Sequence, residues 1–317
     1  MKISYLCKNN AYTAARQQRR FVKSKRYIMI TLSIDKATCI RCGKCVRVCP
    51  ASIFTQATPK EEIGVQYVEN CIVCGHCCAV CPTSSVIHSG FPPEKVHPVD
   101  STLLPTPEQI MLLCKSRRSN RAFSTKPIPA ALLDQVLEAA HRAPTARNLQ
   151  EVAFTLVTDP AVLKQVIDLT MDTFLSLKKW LGNAFVKTAL KPFMPETYRM
   201  LPAFGRMQQA WLEGDDPILR KATALILIHT PKAERFGCQD ANLAYQNGSL
   251  MAETLGLNHF YTGFVCSAVG LDKKGRIAHL LNIDGDIHAG MALGMPAFRY
   301  PNYIDRQKIK VRKYINK

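Results

Sequence analysis

The spacing of apolar residues divides the 317-residue chain at about residue 107. Beyond that point the pattern alternates between helical and strand rhythm. Residues 107–114 read as a helix with proline in its first turn. Leu132, Leu133, Val136, Leu137 and Ala140 recur at helical spacing and predict a helix over 129–142. A β-rich run covers 152–157, and Asp159-Pro160 opens a further helix. Residues 171–215 are rich in Met, Phe and Trp, and their elements are hard to order. The unbroken apolar run 222–229 reads as a central strand. A long helix is expected over 239–255, with its Ala, Leu and Met stripe in the core. Two more strands are expected, at 260–265 and 287–293. The fold class is α+β.

Before residue 107 the order is different. Residues 29–35 predict a first strand, and the segment 33–90 repeats itself at an offset of 32 residues, Cys39 to Cys71. Pro92, Pro93, Pro98, Pro105 and Pro107 then make a stiff connector in which helices cannot persist. The expected organisation is a basic leader at 1–28, a small domain at 29–90, a proline-rich linker at 91–107 and a larger domain at 108–317.

The repeat is a cysteine repeat. Cys39, Cys42, Cys45 and Cys49 stand in a 2-2-3 frame followed by Pro50; Cys71, Cys74, Cys77 and Cys81 stand in the same frame followed by Pro82. Four thiolates per run suit a cubic iron–sulfur cluster. In bacterial-type two-cluster proteins the last cysteine of each run serves the other cluster. Cys39, Cys42, Cys45 and Cys81 are therefore expected to hold one [4Fe–4S] centre, and Cys71, Cys74, Cys77 and Cys49 the second. Zinc also takes four thiolates, although zinc ribbons do not usually repeat this frame. Cys78 adjoins a ligand and could exchange with it; the plainer reading is a small packed thiol. Cys7, Cys114, Cys238 and Cys266 lack a second cysteine at ligand spacing. Residues 33–90 resemble the bacterial-type two-cluster ferredoxins.

Charge changes the picture less than its size implies. The formal net charge is +18, but bound thiolates and a phosphate-bearing cofactor would offset part of it. Residues 1–28 carry eight Lys and Arg and no acid. A disordered tail, an extension upstream of a true start at Met29, and an Arg-rich transit peptide all fit that composition. No zinc finger, helix-turn-helix or aromatic–basic interleaving marks a nucleic-acid partner. No apolar stretch approaches membrane-spanning length, and reduced thiols fit the cytoplasm.

In the larger domain, Arg117, Arg118, Ser119 and Arg121 place three guanidinium groups and a hydroxyl in five positions, a set suited to a phosphate. Asn148 and Gln150 follow with two amides able to donate and accept. Gly263 allows a close backbone approach to a flat ligand, and Arg306 adds a cation near the C-terminus. In this order the elements resemble the nitroreductase family of FMN flavoproteins over residues 110–312. The whole chain is similar to ferredoxin–nitroreductase fusions of anaerobic bacteria. The resemblance implies a central antiparallel-rich sheet flanked by helices and a homodimer with an FMN at each end of its interface. It assigns the FMN phosphate and ribityl chain to Arg117, Arg118, Ser119 and Arg121, the flavin to Asn148 and Gln150, the backbone approach to Gly263, and a second phosphate contact to Arg306. Glu151 stands where the family commonly has proline, and Asn258-His259-Phe260-Tyr261 departs from its usual Gly-Thr-Cys-Trp.

The expected activity is reduction of a nitroaromatic, quinone or activated alkene by FMN that receives single electrons from two clusters. A redox protein would supply the clusters with electrons, and direct reduction of the FMN by NAD(P)H is the alternative. No catalytic acid stands out; His259 is a candidate, with a structural histidine the plainer reading. The rival is an electron relay or redox sensor without a small substrate.

Overall fold

The computed structural model describes residues 30–314, so the basic leader lies outside the described residues. These form two compact units. One comprises residues 30–104 together with 146–150; the other comprises 105–145 and 151–314.

The smaller unit holds two antiparallel strand pairs: β1 (Leu32–Ile34) with β4 (Val86–His88), and β2 (Phe54–Thr55) with β3 (Gly64–Val65). Two five-residue helices, Lys44–Val48 and His76–Val80, lie between them in sequence. The internal repeat extends to the backbone. Arg41 and Val73, Gly43 and Gly75, and Ser52 and Ser84 form three offset pairs, all with φ between 52° and 73°. A β-branched residue such as Val73 at positive φ is strained. The turn beside Cys71 and Cys74 thus runs against the local propensity of Val73. The apolar core is small, and three of its seven buried members are Cys45, Cys77 and Cys78.

The larger unit is built on a four-stranded antiparallel sheet in the order β5 (Ala153–Val157), β6 (Ala224–Thr230), β8 (Asp286–Gly294), β7 (Asn258–Tyr261). β6 explains its own unbroken apolar sequence. Ala224, Ile226 and Ile228 enter one core with the helices Ala130–His141 and Gly237–Thr254. Leu225 and Leu227 enter the other with the helices Pro160–Gly182 and Gly263–Leu271. With both faces covered, alternation between apolar and polar residues has no purpose. The unordered stretch resolves into the end of the 160–182 helix and the helices Ala184–Leu190 and Pro195–Leu212.

One sequence expectation fails. The strand placed at 260–265 is β7 at Asn258–Tyr261, and Gly263 already begins a helix. Thr262 N still donates to Gly290 O at 2.9 Å, but Thr262 O accepts from Cys266 N at 3.1 Å, the first helical closure. A short apolar run does not distinguish strand from buried helix. Among the described residues, no helix is long and apolar enough to cross a membrane.

Candidate functional site

In the smaller unit the eight frame cysteines line two cavities. Cys49, Cys71, Cys74 and Cys77 bound one. Cys39, Cys42, Cys45 and Cys81 bound the other. Each cavity thus takes three thiols from one run and the last thiol of the other. Cys78 lines neither and turns its sulfur toward Val86 O at 4.0 Å. Among the described residues no three His, Cys, Asp or Glu side chains converge tightly enough to grip a single ion. Four thiols around each cavity are the donor set that a cubic iron–sulfur cluster takes.

The surrounding backbone supplies donors. Ile53 N points to Cys49 Sγ at 3.5 Å, Val73 N to Cys71 Sγ at 3.4 Å, and Ser85 N to Cys81 Sγ at 3.2 Å. Left-handed turns at Arg41, Gly43, Val73 and Gly75 curl the chain around the cavities, a shape that gathers N–H groups toward an anion. Burial pushes the Cys45 and Cys71 thiols up. Cys77 is also raised, first by its hydrogen bond with Cys78 and then by burial. At these three sulfurs iron would displace protons held more firmly than on a free thiol, whereas at Cys81 burial is outweighed by hydrogen bonds from Thr83 and from the Ser85 and Val86 backbone, which pull that thiol down.

His88 was missed by sequence reasoning. Its ring is buried, with Nε2 at 3.4 Å from Cys71 Sγ. The signal was present: the 32-residue offset that pairs the cysteines pairs His88 with Gln56, an unlike residue in a like position.

In the larger unit the arginine strip follows the helix Pro107–Ser116, which starts at a Thr106–Gln109 capping box and ends at Arg117. Cations suit a helix C-terminus, where carbonyls accumulate. The strip is laced to the sheet. Buried Asn120 donates its N–H to His259 O at 3.0 Å and accepts Ala122 N on its side chain at 3.0 Å. Asn258 Nδ2 donates to Ala122 O at 2.7 Å, and Ser124 N to Met295 O at 2.8 Å. Gly294 is required here, because a Cβ would meet Phe123 Cδ1 at 2.5 Å.

So fixed, Arg118 lies over the Tyr300 ring at 4.6 Å and donates to Asn302 O at 3.1 Å, leaving its buried Nε without a partner. Arg121 lies over Phe260 at 5.1 Å and donates to Ser119 O. Arg117 and Arg121 both act on buried Tyr245, whose pKa burial pushes up to about 12 against their opposing pull. Tyr245 packs edge-on to Tyr261 at 4.7 Å, and Tyr261 OH donates to His288 O at 3.0 Å. Burial also pushes the neighbouring Cys266 thiol up to about 11. These two tyrosines and the thiol were not singled out from sequence as part of the site; the aromatic Tyr245 sits within the stripe assigned to the core.

The other expected site residues are distributed. Gly263 opens its helix with free space where a Cβ would stand. Arg306 lies in an exposed segment without regular secondary structure. Asn148 belongs by its contacts to the smaller unit, where its amide donates to Val73 O at 2.7 Å and Ile72 O at 3.4 Å. Gln150 is in the same loop at φ 53°. His259 is 1 % exposed, with Glu253 at 3.7 Å and neither ring nitrogen hydrogen-bonded.

Comparison with known proteins is consistent with both units. A model described as the nitroreductase family matches residues 114–295, and one described as a 4Fe–4S dicluster domain matches residues 31–82. A curated NADH dehydrogenase from Thermus thermophilus is 51 % identical over 45 residues, which are 14 % of this chain; the chain spans only 22 % of that relative's length. Among solved structures, a nitroreductase with bound FMN from Bacteroides fragilis aligns with 65 % of this chain and 99 % of its own at 17 % identity and a TM-score of 0.48. A BluB-like flavoprotein from Clostridium difficile 630 aligns with 65 % and 99 % at 17 % identity and a TM-score of 0.49.

Proposed function

Because this chain belongs to the nitroreductase family, we propose that it is an FMN-dependent oxidoreductase that draws single electrons through two [4Fe–4S] clusters and reduces a small organic acceptor. The observation that carries the reading is the presence, in one chain, of two four-thiol cavities and a phosphate-suited arginine strip. Nitroaromatics, quinones and activated alkenes are the acceptor classes. A redox protein supplies the clusters, and NAD(P)H is the alternative donor to the flavin.

FMN, when bound, supplies the conversion from one-electron to two-electron chemistry. The chain's own residues bind and orient it. Arg117, Arg118, Ser119 and Arg121 would hold the phosphate and ribityl chain; the partnerless buried Nε of Arg118 is a donor that an anion would satisfy. Gly263 would leave room for close backbone approach. Asn148, Gln150 and Arg306 complete the proposed set. Cationic groups beside a flavin favour its reduced, more negative form. Cys39, Cys42, Cys45 and Cys81 would hold one cluster, and Cys49, Cys71, Cys74 and Cys77 the other.

The active form is a homodimer. The helix Pro107–Ser116 buries none of its residues, although Ile110, Met111 and Leu112 are apolar and exposed. Ile304, Ile309 and Val311 are exposed in the C-terminal segment. Apolar surface of this kind is suited to a second copy. The thiol chemistry fits the cytoplasm.

The test uses anaerobically prepared, fully reduced holoprotein mixed separately with a nitroaromatic and a quinone. Flavin reoxidation within the mixing experiment by either compound is expected. Indifference to both refutes the small-acceptor reading in favour of an electron relay.

A further inference from the structure

The smaller unit is nearly twofold in its sulfur environment. Ile53 N donates to Cys49 Sγ and Ser85 N to Cys81 Sγ, at equivalent positions of the two halves. Its clearest asymmetry is at Gln56 and His88. Gln56 directs its amide away from the sulfurs, to Arg41 O at 3.0 Å and Glu61 O at 2.8 Å. His88 directs its ring to a sulfur, with Nε2 at 3.4 Å from Cys71 Sγ.

The ring's protonation pattern is fixed by a neighbour. Gly90 N–H donates to His88 Nδ1 at 2.9 Å. A backbone amide can only donate, so Nδ1 carries the lone pair and the single ring proton is on Nε2. That proton faces Cys71. The geometry is held by packing: the ring is 3 % exposed, and Phe91 lies against it at 5.0 Å between centroids. A Cβ on Gly90 would stand 3.1 Å from both His88 Cε1 and Val73 Cγ1, so the chain packs closely against the imidazole there.

We propose that His88 is a potential-tuning residue for one of the two centres: its Nε2–H hydrogen bonds the Cys71 thiolate and raises the reduction potential of the centre held by Cys49, Cys71, Cys74 and Cys77. Adding one electron makes a cluster and its thiolates more negative, so a donor on a ligand sulfur stabilises the reduced state more than the oxidised one. The other centre has no imidazole donor among the described residues. Its nearest counterpart is the Thr83 hydroxyl at 3.8 Å from Cys81 Sγ, a longer contact shared with Ser85. The inference rests on the two-cluster reading.

The experiment is a redox titration of anaerobic full-length holoprotein, followed by electron paramagnetic resonance, for the wild type, His88→Phe and His88→Gln. Iron is counted in each. Wild type is expected to show about eight iron atoms and two cluster steps. In His88→Phe one step moves to lower potential, corresponding to a fall of about threefold to tenfold in electron affinity, the scale of one hydrogen bond. The other cluster step and the flavin stay in place. His88→Gln keeps a side-chain donor and moves the same step less. Two steps that shift together, or none, overturn the proposal, as does loss of iron in both variants, which would make His88 purely structural. A wild type with only one centre overturns the two-cluster reading first, and the proposal with it.

Discussion

The two units solve the same problem, holding a chain in one shape, with different means. The larger unit sandwiches a four-stranded sheet between two apolar cores, and β6 feeds both. The smaller unit has strands of two and three residues, helices of five, and a core in which cysteine is the commonest residue. A segment of that size buries too little apolar surface to be stable by burial alone. Its positive-φ turns add strain instead of relieving it. Metal–thiolate bonds at the eight frame cysteines would offset that deficit. On the proposed reading, the larger unit would need its cofactor to act and the smaller unit its metal to fold.

Iron removal is the strongest way to break that comparison. Chelation under anaerobic conditions should abolish hydrogen-exchange protection across residues 32–88, because metal–thiolate bonds would hold the small, cysteine-rich core together there. Protection across Ala224–Thr230 should survive. Loss in both units together would make them one cooperative body. The reverse stress is Leu227→Ala, which deletes a fully buried side chain of β6. It should cost the larger unit about 2–5 kcal/mol in denaturant unfolding while iron content holds.

Cofactor retention sharpens the contrast further. Arg117→Ala should weaken FMN binding about tenfold to a hundredfold, the value of a hydrogen bond to a charged group, with iron unchanged. Cys42→Ala should bleach part of the cluster absorbance with FMN still bound. Flavin loss in the cysteine variant, or iron loss in the arginine variant, would contradict separate cofactor sites. The smallest effect is expected at Thr106, whose side chain caps the helix Pro107–Ser116. Thr106→Ala should lower stability by about 1 kcal/mol, read as a small fall in midpoint temperature.

Legibility in the sequence follows the same division. The cysteine frame was readable because ligand spacing is a covalent fact of the chain. β6 was readable because burial on both faces leaves an unbroken apolar run. The turn from β7 into the helix at Gly263 was not, since Phe264, Val265 and Cys266 satisfy either structure and only the Thr262 carbonyl decides. The arginine strip was visible as a cluster, but its anchoring through Asn120 to His259 O depends on contacts 139 residues apart. Asn148 shows a contact that residue type does not reveal: its amide nitrogen donates to the carbonyls of Ile72 and Val73, which are 76 and 75 residues away in sequence.

Cofactor stoichiometry on anaerobically purified full-length protein tests the central claim most directly. About eight iron atoms, a matching amount of acid-labile sulfide and one FMN per chain are expected. Well-folded protein that carries zinc in place of iron, or that cannot be loaded with flavin, would contradict it.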